Sequence, residues 1–117
     1  MKILLIDDDE SITKMMSRYF EYKKVDCTIE TDCRRGLQLI LEQKFDVILL
    51  DLNMPHFSGF DVLNELIKSE KIKELKIILF TASNIPREII MNFIAKGVHS
   101  CVGKPVTMET LLSLVQT

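Results

Sequence analysis

Short runs of uninterrupted apolar residues recur along this chain, and each gives way to a stretch with a different rhythm. Ile3 to Ile6, Val47 to Leu50 and Ile77 to Phe80 are apolar throughout, the pattern of strands buried on both faces of a sheet. Cys27 to Glu30 alternates more weakly and predicts a second strand at an edge, and Cys101 to Val102 predicts a short fifth. Between these runs the apolar positions fall at helical spacing. From about Ser11 to Lys23, Ile12, Met15, Met16, Tyr19 and Phe20 share one face, with Lys14 and Arg18 turned away. Leu37, Leu39, Ile40 and Leu41 predict a helix ending near Gln43. Val62, Leu63, Leu66 and Ile67 predict another, after a loop marked by Pro55, Ser58 and Gly59. Pro86 suits a helix start, with Ile89, Ile90, Phe93 and Ile94 on one side and Gly97 as the stop. Thr107 can cap a last helix with Met108, Leu111, Leu112 and Val115 inside, whereas Met91 and Leu114 fall off the inner stripes.

Five strand-helix units in strict alternation predict an α/β fold, because parallel strands need crossover helices, and these cover the sheet on both faces. No internal repeat, linker or low-complexity segment interrupts the chain, so residues 1–117 are expected to form one domain. In open sheets of this kind a ligand site lies beyond the carboxyl ends of the strands, where the strand order reverses.

Composition narrows the function. No apolar run approaches the ~20 residues of a membrane span, and the run after Lys2 breaks at Asp7, too short for a secretory signal. A cytoplasmic protein is expected. A net charge of −2 with dispersed Lys and Arg offers no footprint for the phosphates of nucleic acid. Cys27, Cys33 and Cys101 are an odd number without a Cys-x-x-Cys pair, so packed, reduced thiols are expected rather than disulfides or a zinc site.

The polar residues at the strand ends carry the chemistry. Asp7 and Asp8 follow strand one, Asp51 strand three, Thr81 strand four and Lys104 strand five, so all converge on one rim. Three carboxylates crowded together repel unless a hard cation sits among them, and Mg²⁺, which keeps several waters, leaves room for a phosphate oxygen. Lys104 can balance a second phosphate oxygen, and the Thr81 hydroxyl can donate to a third. Asp9 fits better as a helix cap than as a ligand. Taken singly, Thr81 could satisfy backbone and Lys104 could be a surface charge; their joint placement argues otherwise. His56 falls in the loop beside the rim, where it can modulate access, and His99 reads as structural or exposed.

Taken together, Asp7-Asp8, Asp51-Leu52-Asn53-Met54-Pro55 followed by Gly59, the Thr81-Ala82 step and Lys104-Pro105 resemble the signature of response regulator receiver domains. The resemblance runs from Lys2 into the last helix. It implies a doubly wound, flavodoxin-like sheet of order 2-1-3-4-5, as in single-domain chemotaxis regulators. It also implies that Asp51 is the phosphoacceptor, that Asp7, Asp8, Asp51 and the Asn53 carbonyl hold Mg²⁺, that Lys104 pairs with phosphoryl oxygens, and that Lys104-Pro105 is cis. A sensor histidine kinase, a phosphotransfer protein or a small phosphodonor would supply the phosphoryl group. Catalysis would be confined to the domain's own phosphorylation and dephosphorylation, with positions 53 and 83 (Asn53, Ser83) affecting hydrolysis.

In this family a Tyr or Phe three residues before the lysine reports phosphorylation, and Cys101 stands there instead. Output through Thr81 and its loop is one consequence, and a phosphorylation-independent interaction module is the alternative. The family's docking face, made by helix four, strand five and helix five, is where a downstream protein or a second copy would bind, and Met91 and Leu114 fit either that use or partial burial. A C-terminal output domain in a longer, DNA-binding chain is a further expectation. An aspartyl-phosphate phosphatase fits poorly, because position 53 is Asn and there is no cap domain. A nucleotide or flavin binder fits poorly too, since acids rather than glycines follow strand one.

Overall fold

Alternate residues of the apolar strands face opposite ways, and this divides the core into two halves. The computed structural model describes residues 1–81 and 85–116. Its strands are β1 (Lys2–Ile6), β2 (Asp26–Glu30), β3 (Val47–Leu50), β4 (Ile77–Thr81) and β5 (Ser100–Gly103). The helices are α1 (Glu10–Tyr22), α2 (Cys33–Glu42), α3 (Gly59–Lys68), α4 (Arg87–Lys96) and α5 (Met108–Gln116), with a 3₁₀ turn at Lys71–Glu74. All strand pairs are parallel, in the order β2-β1-β3-β4-β5, so β2 is at an edge.

Ile3, Leu5, Val47, Leu49, Ile78 and Phe80 pack against Met16 and Phe20 of α1 and Leu111 and Val115 of α5. On the opposite face Leu4, Ile6, Ile48, Leu50, Ile77 and Leu79 meet Ile40 of α2, Leu63 and Leu66 of α3 and Phe93 of α4. This is the doubly wound arrangement expected from the alternation. The order reverses between β1 and β3, and that is where the carboxyl ends open a crevice.

The helix starts are set by side chains that accept orphan N–H groups. Asp9 accepts from the backbone of Ser11 and Ile12, the capping role expected of it, and starts α1 one residue before Ser11. Ser58 and Asp61 form a reciprocal capping box at α3. The Thr107 hydroxyl accepts from the Thr110 N–H at 3.1 Å. Gly97, at φ 128°, ends α4 in a conformation that side-chain-bearing residues rarely adopt.

Several positions on the inner stripes are exposed. Met15 of α1 is 51% exposed and Leu41 of α2 56% exposed. In α4, Phe93 is buried and Ile90 half-buried, but Ile89 and Ile94 face solvent at 41% and 36%. The reason is geometric: the sheet covers only a narrow arc of each helix, and a wider apolar stripe spills past it. Of the two off-stripe residues, Leu114 is half-buried against the α1/α5 core, whereas Met91 is exposed.

Candidate functional site

Each acidic residue of the rim follows directly from a strand end. The Asp7 N–H donates to the Glu30 carbonyl at 3.1 Å, and the Asp51 N–H to the Ile6 carbonyl at 3.0 Å, so the ladders of β1 with β2 and β3 fix both backbones. Oxygens of Asp7, Asp8 and Asp51 lie within 4.8 Å of one another. Asp7 and Asp51 are buried, while Asp8 is open to solvent.

The hydrogen bonds orient the two buried carboxylates. Oδ1 of Asp7 accepts from the Asp9 N–H at 3.0 Å, and Oδ1 of Asp51 from the Asn53 N–H at 3.0 Å. Their Oδ2 atoms face Lys104, whose Nζ donates to Asp7 at 2.8 Å and to Asp51 at 3.3 Å. Lys104 is set by β5 and by its own N–H, which donates to the Thr81 carbonyl at 2.9 Å; its bond to Pro105 is cis, as the family resemblance implied. The ammonium also stands over the Phe80 ring, 4.8 Å from the centroid. Gly59 completes the floor: a Cβ there would collide with the Asp51 carbonyl and the Leu52 Cα, so α3 reaches this close to β3 only without a side chain.

One ammonium faces three carboxylates, and the charge balance stays negative. Burial, opposed by the Asn53 N–H and reinforced by the Asp7 charge, holds the Asp51 carboxyl above its ordinary pKa. Burial alone would lower the Lys104 pKa, but the hydrogen bond to Asp7 and the charges of Asp51 and Asp7 outweigh it, and the net shift is upward. A set of all-oxygen donors, with excess negative charge and one member open to water, suits a hard divalent cation such as Mg²⁺. Receiver domains bind Mg²⁺ in general, and this acidic cluster has the donor chemistry for it.

Thr81 is buried at the end of β4, and Asn53 is exposed in the β3–α3 loop. Ala82 and Ser83 lie outside the described residues. His56 is exposed in that same loop with φ 62°, and His99 is exposed with its Nδ1 3.1 Å from the Ser100 hydroxyl. The thiols are packed: burial pushes Cys33 up to about 12 and Cys27 to about 11, and raises Cys101 as well. Cys33 lies 3.2 Å from the Met54 sulfur. Phe80 as a neighbour of Lys104 was absent from the sequence reading, because an apolar residue in a buried strand carries no sign of which cation it meets.

The family model for the response regulator receiver domain matches residues 3–116. The chain is 30% identical, over 98% of its length, to the DNA-binding dual master transcriptional regulator RpaA of Synechocystis, covering 47% of that protein. It spans about half the length of the first curated relatives it matches. Among solved structures, the Vibrio cholerae chemotaxis protein CheY4 superimposes with TM-score 0.83 at 30% identity, covering 98% of this chain and 95% of that one. The receiver domain of Francisella response regulator 1452 gives 0.86 at 28% identity, covering 98% and 93%. No described helix is long and apolar enough to cross a membrane.

Proposed function

Because the chain belongs to the response regulator receiver domain family, we propose that it is a phosphorylation-dependent switch of two-component signalling with Asp51 as phosphoacceptor. The observation that carries this reading is the pairing of the Asp51 carboxylate with the Asn53 N–H on one oxygen and Lys104 on the other, beside Asp7 and Asp8. The two bonds leave the carboxylate oriented toward the rim, where a phosphodonor can reach it.

An oxygen of Asp51 attacks the phosphorus of a phosphohistidine on a sensor kinase or phosphotransfer protein, or of a small phosphodonor. The P–O bond to Asp51 forms as the donor's bond to phosphorus breaks, P–N in phosphohistidine or P–O in an acyl phosphate, and the electron pair leaves with the imidazole or the carboxylate. Lys104 then exchanges a carboxylate partner for a phosphoryl oxygen, and the Thr81 hydroxyl turns toward another. Asp7, Asp8, Asp51 and the Asn53 carbonyl would hold Mg²⁺, which when bound neutralises charge on the equatorial oxygens. Attack by water on the acyl phosphate releases phosphate and regenerates the carboxylate, so no other catalysis is needed.

Output reaches the surface through Thr81 and the loop after it, since Cys101 replaces the ring that would otherwise move. Exposed Ile89, Met91 and Ile94 on α4 supply the apolar part of the docking face for a downstream protein or a second copy. The setting of this switch is the cytoplasm, where the kinases of such systems present their phosphohistidines. The half-length match to transcriptional regulators supports a second reading, in which the domain controls a DNA-binding region of a longer chain. An immunoblot of the native protein tests that: a mass near twice that of this segment supports it.

Borohydride reduction of the phosphorylated protein tests the central reading. An aspartyl phosphate is reduced to homoserine, and mass spectrometry should find homoserine at position 51 and at no other aspartate.

A further inference from the structure

Among the described residues, the Lys104 ammonium meets two carboxylates and one aromatic ring. The third of these is the face of Phe80, at 4.8 Å, well inside the range of an attractive cation–π contact. Phe80 is 1% exposed and packed in the α1/α5 core, so its ring forms a wall beside the lysine. The lysine's side chain is itself only 13% exposed, which weakens competition from water for its charge.

Chemistry distinguishes this wall from the alternatives. A carboxylate there would take up an N–H and hold the ammonium against transfer to a phosphoryl oxygen. An aliphatic side chain would fill the volume and offer no attraction to the charge. The aromatic face attracts the cation through its quadrupole without claiming a particular N–H. The donors therefore stay directed at Asp7 and Asp51, the side on which an incoming phosphoryl group would sit.

We propose that Phe80 is a positioning residue for the phosphorylation chemistry, its ring face holding the Lys104 ammonium in place for the phosphoryl oxygens. The role rests on the reading of Asp51 as phosphoacceptor. It is distinct from the packing that Phe80 also provides, because packing does not depend on the charge distribution of the ring.

Fluorination separates the two roles, since fluorine withdraws charge from the ring face with little change of shape. Phenylalanine at position 80 is replaced by its 4-fluoro, 3,5-difluoro and 3,4,5-trifluoro analogues. Phosphorylation by acetyl phosphate with Mg²⁺ is followed to saturation, and the Lys104 ε-proton shifts are recorded without phosphodonor. The saturating rate should fall stepwise with each fluorine, roughly fivefold by the third, while the melting temperature stays level. Phe80→Tyr should retain most of the rate and Phe80→Leu should lose about as much as the trifluoro analogue. The ε-protons should show an upfield ring-current shift that Phe80→Leu abolishes. A wild type that is phosphorylated at Asp51, with a rate indifferent to fluorination, overturns the positioning role and leaves the acceptor reading intact. A wild type that shows the ring-current shift but takes no phosphoryl group overturns the acceptor reading, and the positioning role with it.

Discussion

Lys104 Nζ lies 2.8 Å from Asp7 Oδ2 and 3.3 Å from Asp51 Oδ2, so one cation serves two buried carboxylates. The site is thus built with more negative charge than the protein itself neutralises. Most of the expected behaviour of the domain follows from that imbalance.

Asp51→Asn is expected to stabilise the fold in the absence of divalent cations. The Asp51 pKa is raised in the folded state, chiefly by burial, so the charged form costs stability at neutral pH. That stability is present in full below the ordinary value of 3.8 and is lost as pH rises through the folded pKa. Urea denaturation in EDTA at pH 7 should show the variant more stable by about 1 kcal/mol, a few degrees in melting temperature. The difference should shrink as pH falls toward 4.

Lys104→Met should act in the opposite direction. It leaves Asp7 and Asp51 facing each other without a counter-charge, at a cost of about 3 kcal/mol. Magnesium can replace the missing cation, so the melting temperature of this variant should rise more steeply with added Mg²⁺ than that of the wild type. Equal Mg²⁺ responses would show that the lysine and the metal do not share the carboxylates.

Gly59→Ala tests the floor of the site. The added methyl meets the Asp51 carbonyl oxygen and the Leu52 Cα, backbone atoms that cannot step aside. A loss of about 2–3 kcal/mol is expected, together with slower phosphorylation because Asp51 is displaced. Calorimetry with a phosphorylation time course measures both.

The elements were legible in the sequence because apolar runs and helical spacing report burial directly. The strands from Val47 to Leu50 and at Ile77 to Phe80 could hardly lie elsewhere than inside a sheet. The exposure of Met15, Leu41, Ile89 and Ile94 was not legible, since periodicity gives the face of a helix and not the width of what covers it. The meeting of Asp7, Asp8 and Asp51 could be anticipated because parallel strands bring their carboxyl ends to one rim. Which oxygen each partner takes, and the ring beneath Lys104, depend on side-chain packing between β4 and β5 that no local pattern encodes.

The packed thiols of Cys33, buried, and Cys27, half-buried, predict a loss of stability in alkali. Cys33 is held up to about 12 and Cys27 to about 11, against 9.0 for a free thiol. Each contributes stability that is full below pH 9 and disappears as pH rises through the folded value. Denaturation midpoints should therefore decline between pH 9 and 11, and Cys33→Ala, although less stable at pH 7, should decline less steeply. A thiol reagent at pH 8 should modify Cys33 in the unfolded chain far faster than in the folded one.

The account depends most directly on whether Asp51 accepts a phosphoryl group, and beryllofluoride, which mimics that group, tests it without a kinase. Amide NMR spectra are recorded with beryllofluoride, with and without Mg²⁺, for the wild type and Asp51→Asn. The account predicts Mg²⁺-dependent shifts around Asp51, Thr81 and Lys104 in the wild type and none in the variant. A folded wild type whose spectrum does not respond would contradict it and favour an interaction module that works without phosphorylation.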